Sequence, residues 1–215
     1  MMNDEIKNKL EVLKKYDDKF FKLAEKILEA HNGSFYPVDE IVIGIIKRSL
    51  SLLDGFCTMI ENNNNLCAAS LVRLHLDSLL RFHALHLVEN PHDLSIRILK
   101  GERLDKIKDK NKKQLKDKYL AEEVNKKYNW VLRVYQETSG FVHLSKKHFF
   151  YAITEVRDSD RTISWAIGAR EKHITEKTIL EYIEGFQAIS NAILDYLFGW
   201  YITKEHPEIL QRDKV

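Results

Sequence analysis

Proline and glycine are scarce in this chain of 215 residues, which has 3 Pro and 8 Gly. Because these residues punctuate turns, their scarcity favours long helices over a turn-rich β fold. No apolar run reaches ~18 residues, so no membrane span is predicted. The net charge of +2 gives no overall indication of a nucleic-acid partner. A hydrophobic content of 44% argues against disorder. We expect a single domain over residues 1–215, with its core in about 4–203.

Cysteine is also rare, and the two that are present, Cys57 and Cys67, form no C-x-x-C pair. Free thiols in apolar helical surroundings behave as small hydrophobes. No signal peptide is recognisable, so the sequence predicts a reducing, cytoplasmic location. There is no P-loop, glycine-rich dinucleotide turn, G-x-S-x-G or H-E-x-x-H motif, and no cofactor is expected.

Apolar residues recur every three or four positions along most of the chain, which is typical of amphipathic helices. Helices are predicted at about 4–31, 38–61, 66–90, 92–99, 113–137 and 175–202. Ser139-Gly140 is expected to interrupt the fifth of these, with a helical turn resuming at 141–147. Segments 149–156 and 162–167 are rich in β-branched and aromatic residues, which indicates a β-hairpin. The predicted fold is all-α, an up-and-down bundle of five to six helices with one hairpin inserted at about 149–167.

Charged residues lie inside the apolar stretch Leu66–Pro91. At 100° per residue, Arg73, Asp77 and Arg81 share one strip of a helix, so that Asp77 can pair with either arginine. Burying charge is costly unless each group is paired or used. The strip is therefore either a charge ladder that ties this helix to its neighbours or a cationic pocket for a phosphate or carboxylate.

A second set of candidates, Tyr135, Ser139 and His143, is spaced i, i+4, i+8. On a continuous helix, Tyr135 or Ser139 would hold His143 in one tautomer, as a general base requires. The alternative is that His143 only caps a helix end, where a cation is favourable.

Segment 100–118 carries nine Lys or Arg against four acids. Such a segment suits a phosphodiester substrate, but Lys-rich stretches are more commonly plain solvated loops.

His83 and His86, spaced i, i+3, could hold a metal ion with Asp77 or His143 as a further donor. Glu89 and His92 have the Glu-x-x-His spacing of di-iron bundles, but Pro91 between them breaks the helix that would present both. No metal site is predicted.

The sequence R-F-H-A-L-H at Arg81–His86 resembles the Arg-x4-His motif of HEPN domains, helical bundles that include many ribonuclease toxins and abortive-infection proteins. The chain is also similar to uncharacterised bacterial helical proteins that pair an ALLR-like helix with a later S-x-x-x-H, here Ala68–Arg73 and Ser139–His143. The resemblance covers about 38–150. HEPN nucleases commonly have a polar residue after the arginine, where this chain has Phe82.

This resemblance implies metal-independent RNA cleavage at a cleft between two subunits. His86 or His143 would move or position the proton of a 2′-hydroxyl, and Arg81 would stabilise the phosphorane charge. Arg73 and Asp77, with Tyr135 and Ser139, are the candidate substrate-binding residues. The expected function is that of a ribonuclease in a toxin or anti-phage defence system.

The expected partners are RNA, an antitoxin or defence-system protein, and a second copy of the chain. The homodimer is expected because the hairpin edge and the apolar first and last helices exceed what one modest bundle hides. The alternative function is a non-catalytic helical module that binds a nucleotide or a protein partner. The two differ in whether the arginines and histidines converge on one cleft.

Overall fold

The structure, a computed structural model, describes residues 2–171 and 173–208. Its helices are α1 (Asp4–Lys14), α2 (Tyr16–Glu29), α3 (Pro37–Glu61), α4 (Asn65–Leu87), α5 (Pro91–Leu99), α6 (Asp117–Asn125), α7 (Val131–Val142), α8 (Lys146–Ala152) and α9 (Glu176–Glu205). A short 3₁₀ turn lies at Leu104–Lys106. Strands β1 (Ile153–Arg157) and β2 (Thr162–Trp165) form an antiparallel hairpin. The predicted all-α bundle with one inserted hairpin is confirmed.

Helix α4 lies at the centre of the bundle and packs against α3, α6, α7 and α9. It begins in a run of four asparagines at 62–65, where the side chain of Asn64 accepts a hydrogen bond from the amide of Cys67. Its buried face carries Leu76, Leu79 and Leu80. The middle position of α4 explains why the segment is so apolar, and it brings the charged residues of this helix against several neighbours at once.

The predicted helix at 4–31 is in fact two helices that meet at Lys15, whose φ of −66° and ψ of −9° bend the backbone. The apolar stripe continues across the bend, with Leu13, Tyr16 and Phe20 all buried. Both halves pack against α3 and α9. One apolar stripe therefore runs along both helices across the bend. The sequence has no Gly or Pro at this point that would indicate the bend.

The predicted helix at 113–137 is also wrong as one element. Residues before Asp117 are extended, and the amide of Leu115 donates to the carbonyl of Ile107 at 2.9 Å. A turn at 126–130 then separates α6 from α7, closed by the Leu132 amide donating to Asn125 Oδ1 at 3.0 Å.

Ser139-Gly140 does not interrupt α7, which continues to Val142. The Ser139 hydroxyl donates to the carbonyl of Tyr135 and so stays within the helical hydrogen-bonding pattern.

The hairpin starts later than predicted, because residues 149–152 belong to α8. Ser145 begins this helix: its carbonyl accepts from the His148 amide at 3.0 Å, and its hydroxyl accepts from the Lys147 amide at 3.3 Å. The aromatic residues at 149–151 favour a strand, but the cap at Ser145 places them in a helix. Within the hairpin, Val156 pairs with Ile163, and a bulge lies between Ile153 and Glu155.

The loop after the hairpin returns to the start of α4 through Glu171, which is 8% exposed. Its carboxylate accepts from the amides of Asn65 at 2.6 Å and Leu66 at 3.3 Å. A negative charge is favourable at a helix N-terminus, so Glu171 adds a second cap to α4.

None of the helices within residues 2–171 and 173–208 is both long and apolar enough to cross a membrane. Cys57 is buried, as expected of a small hydrophobe, whereas Cys67 is exposed.

Candidate functional site

The charged residues of α4 form a network with α6 and α7. Arg81 donates from Nε to Asp77 Oδ1 at 3.2 Å and from Nη2 to Asp117 Oδ1 at 2.7 Å. The second oxygen of Asp117 lies 3.6 Å from Nη2 of Arg73. The guanidinium of Arg73 also lies 4.7 Å from the ring centre of Tyr135, within the range of a cation–π contact. We call Arg48, Arg73, Asp77, Arg81, Asp117 and Tyr135 together the arginine ladder.

The ladder includes four residues singled out in the sequence and two that were not. Asp77 pairs with Arg81, as its spacing allows, and its other oxygen lies 3.7 Å from Arg48 of α3. Arg73 turns instead to Asp117. Asp117 lies in the basic segment and Arg48 in an apolar helix, and no periodic signal marks either of them.

Exposure varies along the ladder. Arg73 is buried, with 9% of its surface exposed, while the side chains of Arg81 and Asp117 are 36% and 37% exposed. The ion pair of Arg81 with Asp117 is therefore open to solvent at one end. Partly exposed pairs are screened by water and contribute less to stability than buried ones. The ladder thus ties α4 to α6 and α7 and also presents a cationic group to the surface.

A cleft of about 710 Å³ opens beside Arg81 and Asp117 of the ladder. It is lined by Ile41, Ile45, Arg81, Ile98, Glu102, Arg103, Leu104, Asp105, Lys116, Asp117, Lys118 and Tyr135. The acids of this lining are paired, Asp117 with Arg81, Asp105 with Arg103 and Glu102 with Arg97, each at 2.7 Å.

Two lysines of the cleft differ from its other charged residues. Lys116 and Lys118 are exposed and make no ion pair within the described part of the chain. They leave the rim of the cleft with a local excess of positive charge.

His86 lies on a different side of α4. Its ring centre is 4.9 Å from that of Tyr196 and 6.2 Å from that of His83, whose Nδ1 hydrogen-bonds the Tyr196 hydroxyl at 2.8 Å. Burial, with a smaller contribution from nearby His86, lowers the pKa of His83 to about 4. Packing against these rings lowers the pKa of His86 too, with a contribution from Lys127. Arg81 and His86 are five positions apart, about 140° around the helix, and share no partner among the described residues.

The three residues of the second set do not form a chain of contacts. His143 follows the last residue of α7 with an extended backbone and is exposed, with no hydrogen bond in the described residues. The Ser139 hydroxyl is directed to a backbone carbonyl, and Tyr135 faces Arg73. The structure therefore brings Arg73, Asp77, Arg81 and Tyr135 together and leaves His86, Ser139 and His143 apart from them.

A second cavity, of about 370 Å³, lies among α4, α7, α8 and α9. Aromatic rings of Trp130, Phe141 and Tyr182 line it together with charged side chains of both signs. Within the described ranges, no group of three or more His, Cys, Asp or Glu is placed to hold a metal ion.

The fold and the site define a helical-bundle protein with a partly exposed arginine–aspartate network beside a lysine-rimmed cleft. Comparison with protein-family models, curated proteins and solved structures finds no match to this chain.

Proposed function

We propose that this protein is a non-catalytic helical module that binds the phosphate of a nucleotide or of an RNA backbone in the ladder cleft. The observation that carries the proposal is the rim of the cleft, where Arg81 reaches solvent beside Lys116 and Lys118. Lysine and arginine are the usual partners of phosphate oxygens, arginine through its planar fork and lysine as a point charge.

The floor of the cleft supports a ligand that is more than a bare anion. Ile41, Ile45 and Ile98 contribute apolar surface, and Tyr135 also lines the cleft. Ligand sites are commonly apolar with a few polar groups that fix orientation, and a volume of a few hundred Å³ suits a small molecule. A nucleobase over the apolar floor, with its phosphate at the lysine rim, fits both parts.

The second candidate is the metal-independent ribonuclease, which the Arg-x4-His sequence favours. Arginine and histidine are suited to RNA cleavage, because one stabilises phosphorane charge and the other moves a proton. Arg81 and His86 have different neighbours within one protomer. Cleavage would therefore use a histidine from a second copy, so this candidate depends on the homodimer. A toxin or defence setting, an antitoxin partner and a cytoplasmic location belong to this candidate.

The proposal includes the homodimer. It is supported by the hairpin, whose sheet has only two strands in the described residues. An isolated two-stranded hairpin is marginally stable in water. A two-fold arrangement is the commonest way for a soluble chain to cover such a surface.

Anisotropy with a labelled single-stranded RNA, and competition by ATP, tests the binding site. We expect Lys116→Gln combined with Lys118→Gln to weaken RNA binding and to lower the salt dependence of log K by about 2, because each lysine releases about one counterion on contact with phosphate. The matched control is Lys22→Gln with Lys26→Gln, two exposed lysines of α2. Equal effects of the two double variants would contradict the proposed site.

The same preparations separate binding from cleavage. Wild type, His86→Ala and His143→Ala are incubated with RNA without metal, and RNA length is followed on gels. The binding module predicts intact RNA with all three proteins. RNA degraded by the wild type and spared by either variant would establish the ribonuclease instead.

A further inference from the structure

The β-hairpin presents an apolar face to solvent. The pair Val156–Ile163 lies on the same face as the pair Ile153–Trp165, because the bulge in β1 brings Ile153 onto it. Val156 is 59% exposed, Ile163 48% and Trp165 52%. Apart from each other, the strands touch the bundle chiefly through α8. Exposed apolar surface of this kind marks an interaction site.

The outer edge of β2 is open for strand pairing. The Ala166 amide donates to the Ala152 carbonyl at 2.8 Å, so the backbone groups of residues 162, 164 and 166 face β1. By the alternation of an antiparallel ladder, those of Ile163 and Trp165 face away. No partner for this edge is found in the described residues.

Charge distinguishes the two edges of the hairpin. β1 carries Glu155 and Arg157, whereas the chain from Thr162 to Gly168 has no charged residue. Natural proteins protect free edges with charges, and β2 lacks this protection. The edge of β2 is therefore the one suited to pairing.

We infer that β2 pairs antiparallel with β2 of a second copy of the chain, with Ser164 on the two-fold axis. The result is a four-stranded sheet in the order β1-β2-β2-β1. In this register Ile163 lies opposite Trp165 of the second copy and Trp165 lies opposite its Ile163. Aromatic and β-branched residues are favourable cross-strand partners.

A second copy fits this edge because the edge is complementary to itself. Both Ile163 and Trp165 direct their backbone N–H and C=O groups outward. Ile163 of one copy and Trp165 of the other can therefore form both hydrogen bonds of an antiparallel pair, and the two-fold axis repeats this pair once. β2 has no charged residue, so no like charges face each other across the axis. The apolar faces of the two hairpins then become continuous. This inference rests on the homodimer proposed above and is independent of the ladder cleft.

Sedimentation equilibrium of the full chain is the first test, with a monomer mass of 25.3 kDa as reference. The wild type is expected to be a dimer. Ser164→Lys puts two ammonium groups opposite each other at the axis and is expected to raise the dimer dissociation constant at least about tenfold, since like charges directly opposite are unfavourable. The control is Asp158→Lys in the exposed hairpin turn, which is expected to leave the constant unchanged.

Cysteine crosslinking tests the register. Residues at the axis form a non-hydrogen-bonded pair with Cα atoms about 4.5 Å apart, close enough for a disulfide. In a Cys67→Ser background, Ser164→Cys is expected to give a covalent dimer on mild oxidation. Thr162→Cys, which lies opposite Ala166 of the second copy, is expected to give little covalent dimer.

The outcomes separate the inference from the proposed function. A monomeric wild type overturns the homodimer and the interface together. If the dimer dissociation constant is unchanged by Ser164→Lys, and Ser164→Cys and Thr162→Cys give equal yields of covalent dimer, the interface alone is overturned. RNA binding in the cleft variants is measured independently of either result.

Discussion

Lys204 Nζ lies 3.0 Å from Oδ2 of Asp39, and neither side chain exposes any surface to solvent. The other oxygen of Asp39 accepts from the Trp200 indole at 2.8 Å, and Lys204 also donates to the Ile27 carbonyl at 2.7 Å. The Tyr36 amide donates to Asp39 as well. These bonds join the end of α2, the start of α3 and the end of α9.

Removing one partner of this pair is expected to be costly. Asp39→Ala leaves the Lys204 ammonium buried without its counter-charge, and breaking a buried pair in this way costs about 3–5 kcal/mol of unfolding free energy. Urea denaturation measures the change. Asp4→Ala, which removes the surface partner of Lys7, is expected to cost far less, because an exposed pair is screened by water. Similar costs for the two variants would contradict the structural role assigned to the buried pair.

The buried pair also shows what the sequence could and could not predict. The periodicity located α3 and α9, yet it ended the last helix at about 202, before Lys204, and gave Asp39 no role. The two residues are 165 positions apart, and local patterns carry no information about such contacts. The same holds for the ladder. Helical spacing aligned Asp77 with Arg81, whereas Asp117 is brought to them only by the packing of α6 on α4.

Glu171 is expected to stabilise the start of α4. Glu171→Gln replaces the charge that faces the amides of Asn65 and Leu66 and should lower the unfolding free energy by about 1 kcal/mol; Glu171→Ala should lower it by about 1–2 kcal/mol. Hydrogen exchange should accelerate at these two amides. The exposed Glu155→Gln serves as control. Unchanged exchange in Glu171→Ala would show that Glu171 is not the cap.

His75 is expected to make stability depend on acid pH. Its ring is fully buried, stacks on Phe186 at 4.2 Å and hydrogen-bonds Ser190 at 2.9 Å. Burial, with a smaller effect from Arg48, lowers the pKa of His75 to about 3. The unfolded chain, with a value near 6.5, binds the proton more readily. The stability contributed by neutral His75 is therefore present above pH ~6.5 and lost as pH falls toward 3.

The measurement is the unfolding free energy of wild type and His75→Asn between pH 7 and 4. The wild type should lose roughly 3 kcal/mol more than the variant over this range, from about 1.4 kcal/mol per pH unit. His143→Asn, at an exposed position, is the control. Parallel curves for wild type and His75→Asn would contradict the prediction even if the variant is less stable throughout.

Asp117 is expected to restrain the arginines of the ladder, and its replacement separates scaffold from site. Asp117→Asn removes the carboxylate that Arg81 and Arg73 share. Only Arg73 is buried, so the loss of unfolding free energy should be about 1–2 kcal/mol, below the ~3 kcal/mol or more expected of a fully buried set.

The same substitution should strengthen binding of RNA or ATP by a few-fold at low salt, because it removes a negative charge from the wall of the cleft and frees Arg81 for phosphate. The gain should shrink as salt is raised. Asp17→Asn on the exposed face of α2 is the control for a general change in net charge. If Asp117→Asn lowers stability and leaves affinity equal to that of the control, the ladder is a structural tie and the phosphate site lies elsewhere.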